Sequence, residues 1–352
     1  METVVLKVDP PALGSAEIRR AAEIIRAGGL VAFPTETVYG LGANALDPQA
    51  VARIFEAKGR PATNPLIVHV SDVSEVLNVA GVWSETVAKL AARLWPGPLT
   101  LVVPKSDAVP DIVTANGPTV AVRCPDHPIA RALIRAAGVP LAAPSANRST
   151  ELSPTRAEHV LKGLNGRINL VLDGGPCSGG IESTVVDVTG DIPRLLRPGL
   201  ITVPMLEEVC GKVDVASRGC EPTDSEPARS PGQMTKHYSP RTPLVLCDTP
   251  AEANRLAWER TYKYDRVGLL MTESQADGVP PMGVVGFPPC PFGRRMSDDP
   301  EWYAAALYST LHELDAFGLS AIYIALPPDT PEWAAVRDRL TRAAAGSSGS
   351  AG

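Results

Sequence analysis

The sequence contains no apolar run near the ~20 residues that a membrane-spanning helix requires; its longest apolar stretches are strand-sized. The first fifteen residues lack the charged start, long apolar core and cleavage site of a secretory leader, so the expectation is a cytoplasmic protein with no membrane contact. Cysteine is scarce: six in 352 residues, with no CxxC pair and no accompanying His spacing. That pattern argues against a zinc site and against a disulfide framework. Positive charge is not in excess either. A net charge of -6 denies the surface as a whole the basic character of a nucleic-acid-binding protein, so any RNA contact would be a local patch or come through a partner. The common nucleotide templates are missing too. Gly211-Lys212 runs into Val213, so there is no phosphate loop, and Gly40-Leu41-Gly42 continues without the third glycine of a dinucleotide fingerprint. No nucleophilic serine elbow is visible.

What remains is an ordinary globular composition, 44% hydrophobic and 20% charged, in a chain long enough for two domains. Short β-rich runs at 30–33, 66–70, 99–104, 119–123, 141–143, 169–173 and 184–188 alternate with amphipathic segments at 15–28, 48–57, 84–94, 127–137, 155–163 and 203–210. This is the signature of an α/β domain, and it spans residues 1–210. Residues 211–243 read as a linker rich in Pro, Ser and Gly, yet SPGQMTKHYSPRTP is too particular for a passive tether and has the character of an active-site lid. A second unit, 244–340, reads β-α-β-β-α-β, with strands at 244–246, 267–271, 283–287 and 322–325 and helices at 250–260 and 300–316. That order implies a small parallel sheet, and 341–352 reads as a disordered tail.

The chemistry-bearing residues collect beside strand ends, where open α/β sheets place ligands. Lys58 and Arg60 close the helix 48–57. They are either solvated cations offsetting a helix dipole or a cradle for a small anion, with Arg60 offering a planar fork. Thr37 lies in the hydroxyl-rich run after Pro34. His69 ends one strand and Arg123 another, and each is either a structural residue or part of a site. Ser145 and Asn147 follow the strand at 141–143 as a turn or as ligand contacts, and Ser183 and Arg197 carry the same ambiguity. The adjacent His237 and Tyr238, inside the linker, have the least structural reason to be there.

The stretches PTETVYGLG (34–42), KGRPATNPL (58–66), WPGPLT (95–100), TVAVRCPDHP (119–128), APSAN (143–147), SPT (153–155), STVVD (183–187) and LRPG (196–199) together resemble the YrdC-like domain. With the linker and the following unit, the whole chain is similar to the long, two-domain threonylcarbamoyl-adenylate synthases. The resemblance implies a YrdC-like twisted mixed sheet with helices and a deep cationic cleft, then a lid and a small Rossmann-like domain. It implies nucleotidyl transfer that joins L-threonine, bicarbonate and ATP into threonylcarbamoyl-AMP for tRNA threonylcarbamoyladenosine modification, with a tRNA threonylcarbamoyl-transferase complex downstream and direct tRNA binding weak or transient if any. By motif position it places Thr37, His69, Arg123, Ser145 and Ser183 on threonine. Lys58, Arg60, Asn64, Thr119, Asn147, Ser153, Arg197 and His237 fall on ATP, with Lys58 and Arg60 acting on the phosphates. It implies Mg2+ carried by the ATP phosphates and no zinc or organic prosthetic group. Two other readings are compatible with the residues: a carbamoyl-adenylate-forming carbamoyltransferase relative, and an RNA-binding module. Thr150, where relatives often carry Gly, and GQMTKHYSP in the linker depart from the pattern.

Overall fold

The structure, a computed structural model, describes residues 2–9, 14–215, 238–263, 265–277 and 292–346. These residues divide into two compact units, the first from 2–149 and 153–215, the second from 150–152 and the residues from 238 onward.

The first unit runs β1 (Val4–Lys7), α1 (Ala16–Arg26), β2 (Val31–Phe33), β3 (Gly40–Asn44), α2 (Pro48–Lys58) and β4 (Ile67–His69). It continues with α3 (Glu85–Leu94), β5 (Leu99–Pro104), β6 (Thr119–Arg123), α4 (Pro128–Ala137), β7 (Leu141–Ala142) and α5 (Ala157–Leu164). The last elements are β8 (Leu170–Asp173), β9 (Thr184–Asp187), β10 (Arg194–Arg197), α6 (Val203–Cys210) and β11 (Asp214–Val215). The strands form one mixed sheet in the order β1-β8-β2-β3-β7-β4-β6-β5-β9-β10-β11.

Local chemistry sets the helix bounds. Ser15 caps α1 by accepting from Ile18 N at 3.3 Å, and the helix buries Ile18, Ala21, Ala22 and Ile25 at helical spacing. Asp47 caps α2, Pro48 occupies its first turn, and Gly59 ends it in the left-handed region at φ 61. That stop leaves Lys58 as the last helical residue, turned into the protein.

The two sheet faces are covered differently. On one, Val68, Leu101, Val103, Val120, Val122 and Val186 pack with residues of α2, α3, α5 and α6. On the other, α1 and α4 cover Val31, Phe33, Leu141, Leu170 and Leu172. Over the neighbouring strands β4, β6, β5 and β9 the buried apolar cluster is Ile67, Ala121, Val102 and Val185, drawn from strands alone. His69, Thr100 and Arg123 sit on this face.

The second unit contains β12 (Leu244–Cys247), α7 (Pro250–Thr261), β13 (Val267–Thr272), β14 (Phe292–Met296), α8 (Pro300–Ala316), β15 (Ala321–Ala325) and α9 (Ala334–Ala345). Its sheet is parallel throughout, ordered β12-β15-β13-β14. Gly268 in β13 allows the close approach of Leu319 and Ile322. The strand expected at 283–287 lies outside the described residues.

One expectation is corrected here. Residues 341–345, read as the start of a disordered tail, complete α9, because Leu340 and Ala343 are buried on the same helix face. At the ends of the 211–243 segment, β11 pairs with β10, and Tyr238 is buried between Tyr308 and Arg339 of the second unit. Ring centroids of Tyr238 and Tyr308 are 5.9 Å apart, and the Arg339 guanidinium lies 5.3 Å from the Tyr238 ring. A phenol held this way packs within the second unit.

Candidate active site

Strand register builds the centre of the site. His69 of β4 and Arg123 of β6 are direct partners across a parallel pair, and Thr100 of β5 faces Arg123 from the antiparallel side. Residues paired in register share a face, so imidazole, guanidinium and hydroxyl form one row across three strands. The apolar residues Ile67, Ala121 and Val102 repeat that row two positions away along each strand.

Hydroxyls extend the row. Thr100 Oγ1 lies 2.7 Å from Ser183 Oγ at the mouth of β9. Arg197, at the end of β10, donates from Nε to the Ser183 carbonyl and from Nη2 to its hydroxyl, each at 3.1 Å. The turn after Arg197 lies flat on that segment: a Cβ at Gly199 would stand 2.3 Å from Thr184 N and 2.7 Å from Ser183 C.

On the other side, the loop between β2 and β3 presents Thr35, Glu36 and Thr37. The Thr35 and Thr37 hydroxyls are 2.8 Å apart, and Thr35 Oγ1 donates to the Val38 carbonyl at 2.6 Å. Glu36 reaches Arg123, with Oε1 2.6 Å from Nη2.

Lys58 and Arg60 are buried, at 2% and 7% exposure, which removes the reading of a solvated helix end. Lys58 Nζ donates to the carbonyls of Ser145 and Asn147, both at 2.5 Å. Arg60 donates from Nε to the Asn64 carbonyl and from Nη2 to that of Pro65. These cations therefore tie the segments 145–147 and 64–65 to the end of α2. Backbone hydrogen bonds close the ring: Tyr39 N to Pro154 O, Ala146 N to Tyr39 O, and Leu41 N to Pro144 O, at 2.7–2.8 Å. Ser153 Oγ meets Glu182 Oε1 at 2.5 Å, next to Ser183.

Electrostatics separate the imidazole from its neighbours. Burial first, then the Arg123 charge, push the His69 pKa down to about 3, so the ring is neutral. Its Nδ1 faces the Ile67 carbonyl at 3.3 Å, which leaves Nε2 as the acceptor. Burial likewise lowers His127, whose ring feels Glu36.

Of the residues singled out in the sequence, Thr37, Lys58, Arg60, Asn64, His69, Arg123, Ser145, Asn147, Ser153, Ser183 and Arg197 belong to these linked segments. Thr119 begins β6, opposite Pro104, four residues from Arg123 and hence ~13 Å along the strand. His237 lies outside the described residues. Sequence reasoning passed over Glu36 and Thr100. Both stand inside motifs already quoted; strand pairing sets Thr100 opposite Arg123, and the ion pair brings Glu36 to it from the β2–β3 loop.

Buried cations, hydroxyls and a neutral imidazole gathered at strand ends make this an α/β protein built to hold a small polar, anionic ligand. A family model described as "Telomere recombination", covering the Sua5, YciO and YrdC proteins, matches residues 23–199, and "Threonylcarbamoyl-AMP synthase, C-terminal domain" matches 201–345. The chain belongs to the threonylcarbamoyl-AMP synthase family. It is 46% identical over 332 residues to threonylcarbamoyl-AMP synthase of Bacillus subtilis, covering 94% of this chain and 93% of that protein. With the Pyrococcus abyssi enzyme of the same name it shares 42% identity over 335 residues, 93% and 94% of the two chains. The crystal structure of P. abyssi Sua5 complexed with L-threonine superposes with a TM-score of 0.87 at 39% identity, covering 98% of each chain.

Proposed function

We propose that this protein condenses L-threonine, bicarbonate and ATP into threonylcarbamoyl-AMP and pyrophosphate, supplying a tRNA threonylcarbamoyl-transferase complex in the cytoplasm. The threonine amine and bicarbonate give a carbamate and water. A carbamate oxygen then attacks the α-phosphorus, and pyrophosphate leaves. No protein nucleophile is required, and catalysis is positioning with charge neutralisation.

In this reading Arg123, with Thr37, His69, Ser145 and Ser183 around it, receives threonine, and neutral His69 offers an acceptor without adding charge. Arg60, Asn64, Thr119, Asn147, Ser153, Arg197 and His237 serve ATP, and Lys58 faces its phosphates while fixing the 145–147 turn. Mg2+ belongs to the substrate, arriving on the ATP phosphates with most of its waters. Among the described residues no helix is long and apolar enough to cross a membrane.

The observation that carries the reading is near-full-length identity to synthases of both domain units, joined to one buried network that holds most of the motif residues. Carbamoyltransferase relatives share only the YrdC-like part of this argument. Pyrophosphate release tests it directly: we expect dependence on L-threonine and bicarbonate together. Release driven by carbamoyl phosphate instead, or tight tRNA binding without ATP consumption, would overturn it. Serine, lacking one methyl, should be disfavoured by about 1–3 kcal/mol in kcat/KM.

A further inference from the structure

Glu36 and Arg123 meet as opposite charges at the end of β6, with Nη2 2.6 Å from Oε1 and side-chain exposures of 12% and 5%. The contact is close but not an aligned hydrogen bond. Neither carboxylate oxygen of Glu36 accepts one, and neither Nε nor Nη2 of Arg123 donates one. A carboxylate has room for about four donors and a guanidinium carries five N–H groups, so both side chains retain unfilled capacity. Desolvating two charges without filling their hydrogen bonds is a poor source of stability, which removes the simplest structural reason for the pair.

The surroundings keep that capacity open. The Glu36 backbone is fixed, its carbonyl accepting from Gly179 N at 2.7 Å, while its carboxylate is left without such support. The nearby hydroxyls are committed elsewhere, Thr35 to Val38 and Ser183 to Thr100 and Arg197. His69 Nδ1 faces its own strand's Ile67. A neighbouring anion and cation, each short of partners, match a ligand that carries a carboxylate and an ammonium on one carbon.

We propose that Glu36 is a specificity-determining residue that receives the α-amino group of the substrate while Arg123 takes its α-carboxylate. The pair then recognises the zwitterionic head of a free amino acid, independently of the side chain. The inference rests on the assignment of threonine as substrate and deepens it. It also accounts for the nitrogen: the amine that becomes the carbamate keeps an N–H to donate, so Glu36 holds the same atom before and after that step.

The test is calorimetric titration of the full-length protein with L-threonine, with 3-hydroxybutyrate, which has hydrogen in place of the amine, and with L-threoninamide, which lacks the carboxylate. In the unsubstituted protein each analogue should bind at least ~10-fold more weakly than threonine. In Glu36→Gln, threonine should weaken by ~10-fold or more and its advantage over 3-hydroxybutyrate should collapse toward one, with its advantage over threoninamide retained. Glu36→Asp should restore part of the lost discrimination and serves as the second variant if Glu36→Gln does not fold. Unchanged discrimination in the folded variant, or tighter threonine binding, overturns the proposal while leaving the substrate assignment standing. Failure of the unsubstituted protein to bind L-threonine overturns both.

Discussion

Arg197 grips Ser183 at two points, its Nε on the carbonyl and its Nη2 on the hydroxyl, each at 3.1 Å. Both residues are buried, and Ser183 also shares its hydroxyl with Thr100. Arg197 is thus a positioning residue for Ser183 as well as a strand-end cation.

Arg197→Lys keeps the charge but loses the planar fork. Hydrogen bonds from charged donors contribute about 1.5–3 kcal/mol, so KM for threonine should rise roughly 10-fold or more. Steady-state pyrophosphate release with each substrate varied checks this. A change confined to KM for ATP would show that Arg197 acts on the nucleotide alone.

Lys58 has two consequences on removal. Lys58→Ala strips the donor from the Ser145 and Asn147 carbonyls, so it should lower stability by roughly 2–4 kcal/mol as well as cutting adenylate formation by orders of magnitude. Chemical denaturation alongside the activity assay separates the two losses. Wild-type stability with lost activity would mean the ammonium serves only the phosphates.

His69 makes folding sensitive to acid. Its pKa is about 3 in the folded protein against 6.5 ordinarily, so the unfolded chain binds the extra proton between those values. Stability from this group is fully present above about pH 6.5 and is withdrawn as pH falls toward 3, at ~1.4 kcal/mol per pH unit. His159, pushed down to about 4 chiefly by burial, acts in the same direction. Denaturation midpoints of His69→Gln should fall less steeply with acidity than those of the unsubstituted protein, by about one proton. Parallel slopes would contradict the buried neutral imidazole.

Tyr238→Ala should destabilise the second unit. It removes a ring 1% exposed between Tyr308 and Arg339, a loss of roughly 3–5 kcal/mol. Hydrogen exchange should rise along α8 and α9 while the amides of β4–β6 keep their protection. Equal loss in both units would show that Tyr238 stabilises more than its own surroundings.

The sequence revealed elements where one physical signal dominated. The valine-rich β5 and β6 and the capped, amphipathic α1 and α2 were legible because periodicity and caps agreed. β3 was hidden because two of its five residues are glycine, ordinarily poor in strands. The ring of Phe33 explains them: a Cβ on Gly42 would lie 2.8 Å from Cε1 and one on Gly40 3.4 Å from Cζ. α9, rich in Ala and Arg next to a Gly/Ser end, gave little apolar contrast. The site's cations and hydroxyls were visible as residue types, but their burial was not. Nor was the approach of Thr100 and Glu36 to Arg123, since register and the path of the β2–β3 loop lie outside any local pattern.

At Gly199 the polypeptide passes so near Thr184 that even a methyl group would force the two main chains apart. The span bridged by Arg197 is consequently dictated by peptide planes in van der Waals contact. Lengthening or decorating this corner would release Ser183 from that grip, so variants meant to admit a bulkier amino acid must begin at another segment.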